Sequence, residues 1–314
     1  MSRPFNPKVV YHADWSSTAK KRWCAKAVLS TDGRYTASAP EPVGPSSSLI
    51  EWLRMEAGDA GCAFAGFDFP IGLPASYAKH ARITRFRSLL PKLGRGKWKD
   101  FYSVCDRPDQ ISVHRPFYPK GAYKGRHKED LFHGHGVSSV ESLLRLCERG
   151  GAGQRQACCL FWTLGSNQVG KAAIIGWRDV LAPALRGEKP ISLWPFDGPM
   201  SSLVVPESVV VAETYPAECY GWFSDEPLGS KRNQADRKKF GASLLLWASA
   251  HSISLLDGLR KEIRDGFPQG KDDAFDAVVG LFGILNVCLG QRDSGEPDDY
   301  RIRRVEGWIL GRKP

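Results

Sequence analysis

Apolar runs and polar interruptions cut the chain into short segments with different periods. VVYHAD (9–14) is an apolar run closed by an acid and predicts a strand. RWCAKAVLS (22–30) and GRYTASA (33–39) predict two more, joined by the hairpin turn Thr31-Asp32-Gly33. Ser46–Ser48 can cap a helix from Leu49 to Ala57, where Leu49, Ile50, Trp52 and Leu53 have roughly helical spacing. CAFAGFD (62–68) predicts a fourth strand. It stops at PIGLP, because Pro70 and Pro74 block continuation of either element.

Further along, helical patterns occupy 138–149, Lys171 to Leu181, 231–251, 254–265 and 271–289. CCLFWTL (158–164) reads as strand-like or buried, SVVVAE (208–213) as a strand, and VEGWIL (305–310) as a closing strand or tail. The opening order is strand, strand, strand, helix, strand, with hairpins before the helix. A dinucleotide-binding fold would open strand-helix-strand with GxGxxG at the first turn, and no GxGxxG is present.

Composition is that of a folded chain. Of 314 residues, 42% are hydrophobic and 25% charged, which excludes a disordered or collagen-like protein. No apolar run is long enough to span a membrane, and the N-terminal residues have no apolar core before a cleavage site. Eight Cys are scattered without a CxxC, which reads as reduced thiols filling the core of a cytoplasmic protein.

Charge changes the picture in one place. The chain carries 44 Lys+Arg against 34 Asp+Glu, net +10. From Lys79 to Lys128 there are 14 basic residues and three acids, so this stretch accounts for the whole excess. Phe86, Trp98, Phe101, Tyr102, Phe117, Tyr118 and Tyr123 are interleaved with the cations. Lys and Arg attract phosphates and aromatic faces stack on bases, so the stretch reads as a nucleic-acid track containing Arg95, Lys97, Trp98 and Lys99. A solvated insertion serving only solubility is the plainer alternative. A second basic run, Lys231, Arg232, Arg237, Lys238 and Lys239, is the fallback track.

Acids close three of the apolar strands: Asp14, Asp68 and Glu213. Ligand sites in open α/β sheets lie beyond the carboxyl ends of parallel strands, so parallel neighbours would bring these acids together. Asp272, Asp273 and Asp276 then open the apolar helix KDDAFDAVVGLFGIL, with Asp273 and Asp276 on one face. Converging acids repel one another and resist burial, and a divalent cation relieves both costs. Oxygen ligands alone suit Mg²⁺ or Mn²⁺. Asp272 fits a simpler role at the positive end of the helix dipole.

DWSS (14–17), FDFPIGLP (67–74), AETYPAE (212–218) and DDAFDA (272–277) resemble the motifs of an uncharacterised family described as predicted RNase H-like nucleases. LFWTLGSNQVGKAAIIGWRDVL (160–181) and EGWILG (306–311) resemble features of the same family, and the first strand and last helix are similar, more distantly, to RuvC-type resolvases. The resemblance implies an α/β protein of RNase H-like fold, with a mixed central sheet flanked by helices. It implies one domain over 1–314, carrying the basic insertion 79–136 after the fourth strand. It further implies metal-dependent phosphodiester hydrolysis of DNA or RNA. Asp14, Asp68 and Asp273 or Asp276 would be metal ligands, and Glu213 matches the family's late-strand acid.

Gly165 to Lys171 matches GxxxxGK between an apolar run and a helix. The next residue is Ala172, so the hydroxyl that holds Mg²⁺ in a P-loop is missing. Gln168 and Lys171 could still hold a nucleic-acid phosphate at the helix start. His127, His133 and His135 lack a completing ligand and read as surface loop residues. His12 shares a strand face with Asp14 and reads as sheet filling. Two rival functions stand beside the nuclease: a nucleotide-dependent phosphotransferase or ATPase on the same fold, and a nucleic-acid binder without turnover.

Overall fold

The computed structural model describes residues 4–121, 127–150, 156–164 and 169–314. It is an α/β protein built on one mixed sheet. The strands are β1 (Val9–Asp14), β2 (Trp23–Leu29), β3 (Tyr35–Ala37), β4 (Glu41–Pro42), β5 (Ala63–Phe67), β6 (Ser192–Leu193), β7 (Val209–Glu213) and β8 (Ser254–Leu255). The sheet runs β6-β7-β5-β1-β2-β3-β8, with β4 on β2. β1, β2 and β3 form an antiparallel meander, whereas β5, β7 and β6 continue from β1 in parallel. The parallel strands are buried on both faces and are near-continuous apolar runs for that reason. Their ends are level: Ala13 pairs with Phe67, and Phe67 with Glu213.

Each face is covered. Val9, Tyr11, Ala13, Phe67 and Val211 point to one side, toward Leu49 and Leu53 of the first helix and the aromatics of the basic stretch. Val10, Phe64, Val210 and Ala212 point to the other, toward the late helix Asp272–Cys288. Every residue of that helix from Ala274 to Cys288 is buried, so apart from Asp276 and Asn286 it is apolar all round rather than amphipathic. Gln234–Ala250 and Asp257–Asp265 complete that layer.

The opening order expected from the sequence is present, with the helix at Leu49–Ala57. The differences have local causes. Residues 138–149 form two short 3-10 turns, Val140–Leu143 and Leu146–Glu148, instead of a helix. Arg145 between them is pulled into the interior by buried acids, and a regular helix would break that grip. The helix from Val169 widens into a π turn at Trp177–Leu181 before Ala182–Arg186, because Pro183 brings no N–H to the ladder. The stretch 158–164 contributes one isolated bridge, Tyr118 to Trp162. Ser254–Leu255 is an edge strand, so the next helix starts only at Asp257. Residues 302–306 form another π turn, after which Ile309 bridges to Glu213.

The basic stretch is tied to the main core. Phe86, Trp98, Phe101, Phe117 and Tyr118 are buried there. Trp98 is 5% exposed and packs on Phe101 and His114. The expectation that Trp98 stacks on a base is corrected accordingly: its faces are spent on protein. Tyr123 lies outside the described residues. All eight Cys are unpaired and seven are buried. No helix among the described residues is long and apolar enough to cross a membrane.

Candidate functional site

Strand alternation decides which acids meet. Successive side chains on a strand face opposite ways. In β1, Asp14 follows Val10 and His12 toward the late helix; in β5, Asp68 follows Phe64 and Gly66 toward the same side. In β7, Val210 and Ala212 take that side, so Glu213 follows Val209 and Val211 to the opposite one. The sequence pattern predicts that three strand-end acids converge. Asp14 and Asp68 do; Glu213 leaves on the other face, although its charge still reaches Asp68 and helps to raise that carboxyl.

Glu213 is instead locked by Arg145. The guanidinium donates from Nη2 to Oε1 at 2.6 Å and from Nη1 to Oε2 at 2.7 Å, and the Ile71 N–H donates to Oε2 at 2.6 Å. Arg145 also donates to Glu148 at 2.9 Å and to the Glu306 carbonyl at 3.1 Å. Arg145, Glu148, Glu213 and Glu306 are all buried. Both Glu213 oxygens are committed to charge-assisted bonds, which leaves the carboxylate unsuited to a metal.

The third acid of the cluster comes from the helix. Asp276 is 3% exposed and accepts hydrogen bonds from the Tyr220 hydroxyl and the Lys231 ammonium. The helix lies unusually close to β1. His12 Nδ1–H donates to the Ala277 carbonyl at 3.0 Å. Gly280 sits over the same ring, where a Cβ would come within 2.2 Å of it. Burial lowers the His12 pKa to about 3, against the pull of that carbonyl bond, so the ring is neutral. It acts as a spacer between strand and helix.

Electrostatics bind the acids into one unit. Burial, then the charges of Asp276 and Asp68, push the Asp14 carboxyl well above its usual range, with Lys231 opposing. Burial and repulsion from Asp276 push half-buried Asp68 up to about 7. Asp14 and Asp68 are within hydrogen-bonding reach, which requires a shared proton. Burial also raises Asp276, although Lys231 and Tyr220 draw it down. Asp273 is half-buried one turn earlier and raised by burial and by Asp272. Burial pulls Lys231 down, but Asp276, Asp14 and Asp68 outweigh it and raise the ammonium.

Among the described residues, no three His, Cys, Asp or Glu side chains form a ready-made metal cage. The donor chemistry nevertheless fits a hard divalent cation: oxygens only, crowded, desolvated and mutually repelling. In this arrangement protons and the Lys231 ammonium provide the compensating charge.

Arg95, Lys97 and Lys99 are exposed around buried Trp98. Lys171 is half-buried in the first turn of the helix Val169–Gly176, while Gly165–Gln168, including the candidate Gln168, lies outside the described residues. His135 is not a surface residue: it is buried on Phe161 and bonded to the Pro116 carbonyl at 3.0 Å. Arg237 of the second basic run is buried against the Gly266 and Phe267 carbonyls, so it is structural. Sequence reading misses Tyr220 and Arg145, and shows Lys231 only as a member of that run. Comparison with protein-family models, curated proteins and solved structures finds no match to this chain.

Proposed function

We propose that this protein is a divalent-metal-dependent nuclease of RNase H-like fold, hydrolysing phosphodiester bonds of nucleic acid. The observation that carries the proposal is the meeting of Asp14, Asp68 and Asp276 at the ends of two adjacent parallel strands and the start of a packed helix. The order of elements supports the fold: a three-stranded meander, a helix, two parallel strands and a late carboxylate helix. Eight unpaired cysteines accord with a cytoplasmic location, which forms part of the proposal.

Asp14, Asp68 and Asp276, with Asp273 at the margin, would hold Mg²⁺ or Mn²⁺, which supplies Lewis acidity and a more acidic bound water. The chain's own groups do the rest. Tyr220 orients Asp276 through its hydroxyl. Lys231, anchored on the same carboxylate and 41% exposed, can turn outward to a phosphate oxygen. Exposed cations of the 79–128 stretch would hold the substrate backbone. Hydrolysis adds water across one P–O bond and leaves one phosphate-ended and one hydroxyl-ended strand.

The test is cleavage of labelled single-stranded and duplex DNA and RNA with Mg²⁺, Mn²⁺ or EDTA. Metal-dependent cleavage lost in both Asp14→Asn and Asp276→Asn is the expected result. Binding without cleavage under every metal condition would favour a non-catalytic binder and overturn the nuclease.

A further inference from the structure

A cleft of about 510 Å³ opens beside the loop that leaves Asp14. Its size falls within the range of small-molecule sites, about 300–1,000 Å³. Arg115, Lys120 and Lys171 contribute its charge, and no carboxylate lines it among the described residues. Tyr102, Ile174 and Ile175 contribute its apolar wall. Arg115 is pinned to that wall, donating from Nη2 to the Val104 carbonyl at 2.9 Å and from Nε to the Ser103 carbonyl at 3.3 Å. Neither Lys120 nor Lys171 forms an ion pair among the described residues.

The cleft is linked to the acid cluster by the chain itself. Ser17 lines it, three residues beyond Asp14. Arg22 holds this loop, donating from Nε to the Ser16 carbonyl at 2.6 Å while its guanidinium lies 4.6 Å from the centre of the Trp15 ring. The position is therefore fixed rather than left to a free loop.

Cations beside an apolar wall select a ligand that is anionic at one end and flat or apolar at the other. Inorganic phosphate would leave the isoleucines unused, and a duplex keeps its bases stacked inside. We propose that this cleft takes one unstacked nucleotide, with its phosphate at Arg115, Lys120 and Lys171 and its base against Tyr102, Ile174 and Ile175. Resting on the nuclease reading, this makes the substrate a single strand or a frayed end, with one nucleotide seated at the loop that leaves Asp14.

Binding is measured in EDTA, apart from hydrolysis, with a nucleoside 5′-monophosphate, inorganic phosphate, a single-stranded oligonucleotide and a blunt duplex of equal length. The monophosphate is expected to bind and inorganic phosphate to compete poorly. The single strand is expected to bind more tightly than the duplex, and more tightly than the monophosphate if the natural ligand is a strand rather than a free nucleotide. Lys120→Ala with Lys171→Ala should weaken monophosphate binding about tenfold or more. Ile175→Ser should weaken it without changing its salt dependence. Equal competition by inorganic phosphate, or equal affinity for duplex and single strand, overturns the proposal. If cleavage occurs but the double variant binds as wild type, the cleft is wrong and the nuclease stands. If the cleft binds and nothing is cleaved, the nuclease is wrong and the nucleotide site stands.

Discussion

Lys231 donates its ammonium directly to Asp276, forty-five residues further along the chain. It is the chain's own countercharge for a buried acid. Lys231→Met should lower metal-free stability by about 1–2 kcal/mol. That is less than the ~3–5 kcal/mol for breaking a fully buried pair, because Lys231 is 41% exposed. Added Mg²⁺ or Mn²⁺ should then raise the melting temperature of the variant more than that of wild type. Equal metal-induced shifts in thermal melts would show that Lys231 and the cation do not share a place.

Asp14 and Glu213 end neighbouring parts of one sheet but should respond oppositely to neutralisation. Asp14→Asn removes a repelling charge and should leave metal-free stability equal or slightly higher while abolishing cleavage. Glu213→Gln leaves buried Arg145 short of a partner and should cost about 3–5 kcal/mol. Denaturant titration beside activity per folded molecule separates the two. A stable, inactive Glu213→Gln would return Glu213 to the catalytic group.

The cluster should make the metal-free protein less stable as the solution becomes more basic. Asp68 titrates at about 7 when folded against an ordinary 3.8, so the folded chain binds the extra proton between those values. Its stabilising contribution is full below the unfolded value and is lost as pH rises through the folded one. Melting temperatures of wild type minus Asp68→Asn, taken in EDTA from pH 4 to 8, should fall across this window. A flat difference would show that Asp68 is not desolvated.

Trp98 and its neighbouring cations should separate folding from binding. Trp98→Ala should destabilise the protein by about 3–5 kcal/mol, as for other buried aromatics. Reversing exposed Arg95, Lys97 and Lys99 to Glu should leave the melt unchanged. It should flatten the dependence of log affinity on log salt by about 0.7 for each single-strand phosphate that is no longer neutralised. A triple variant with the original slope would move the track away from this stretch.

The meander, the first helix, β5, β7 and the late helix were legible because each is an apolar or alternating run bounded by turn residues, prolines or acids. Asp14, Asp68 and Asp276 were legible as acids at the ends of such runs. Glu213 misled because its position was readable but its side was not: parity along VVVAE needs a known inner face. Trp98 misled because cations on either side of an aromatic say nothing of where its ring points. Residues 138–149 look helical locally, yet Arg145 answers to partners at positions 71, 213 and 306. Lys231 and Asp276 carry no mutual signal, since only folding brings them together.

Gly280 gives the late helix its depth. Where any other residue would place a methyl group 2.2 Å from the His12 ring, the helix settles onto β1 with only hydrogen between them. The spread of the acids is thus set in the dry interior, one turn away from Asp276, like a tripod whose stance is fixed by the hinge rather than the feet. Ligand selectivity in such a site can be retuned by a core substitution that touches neither ligand nor carboxylate.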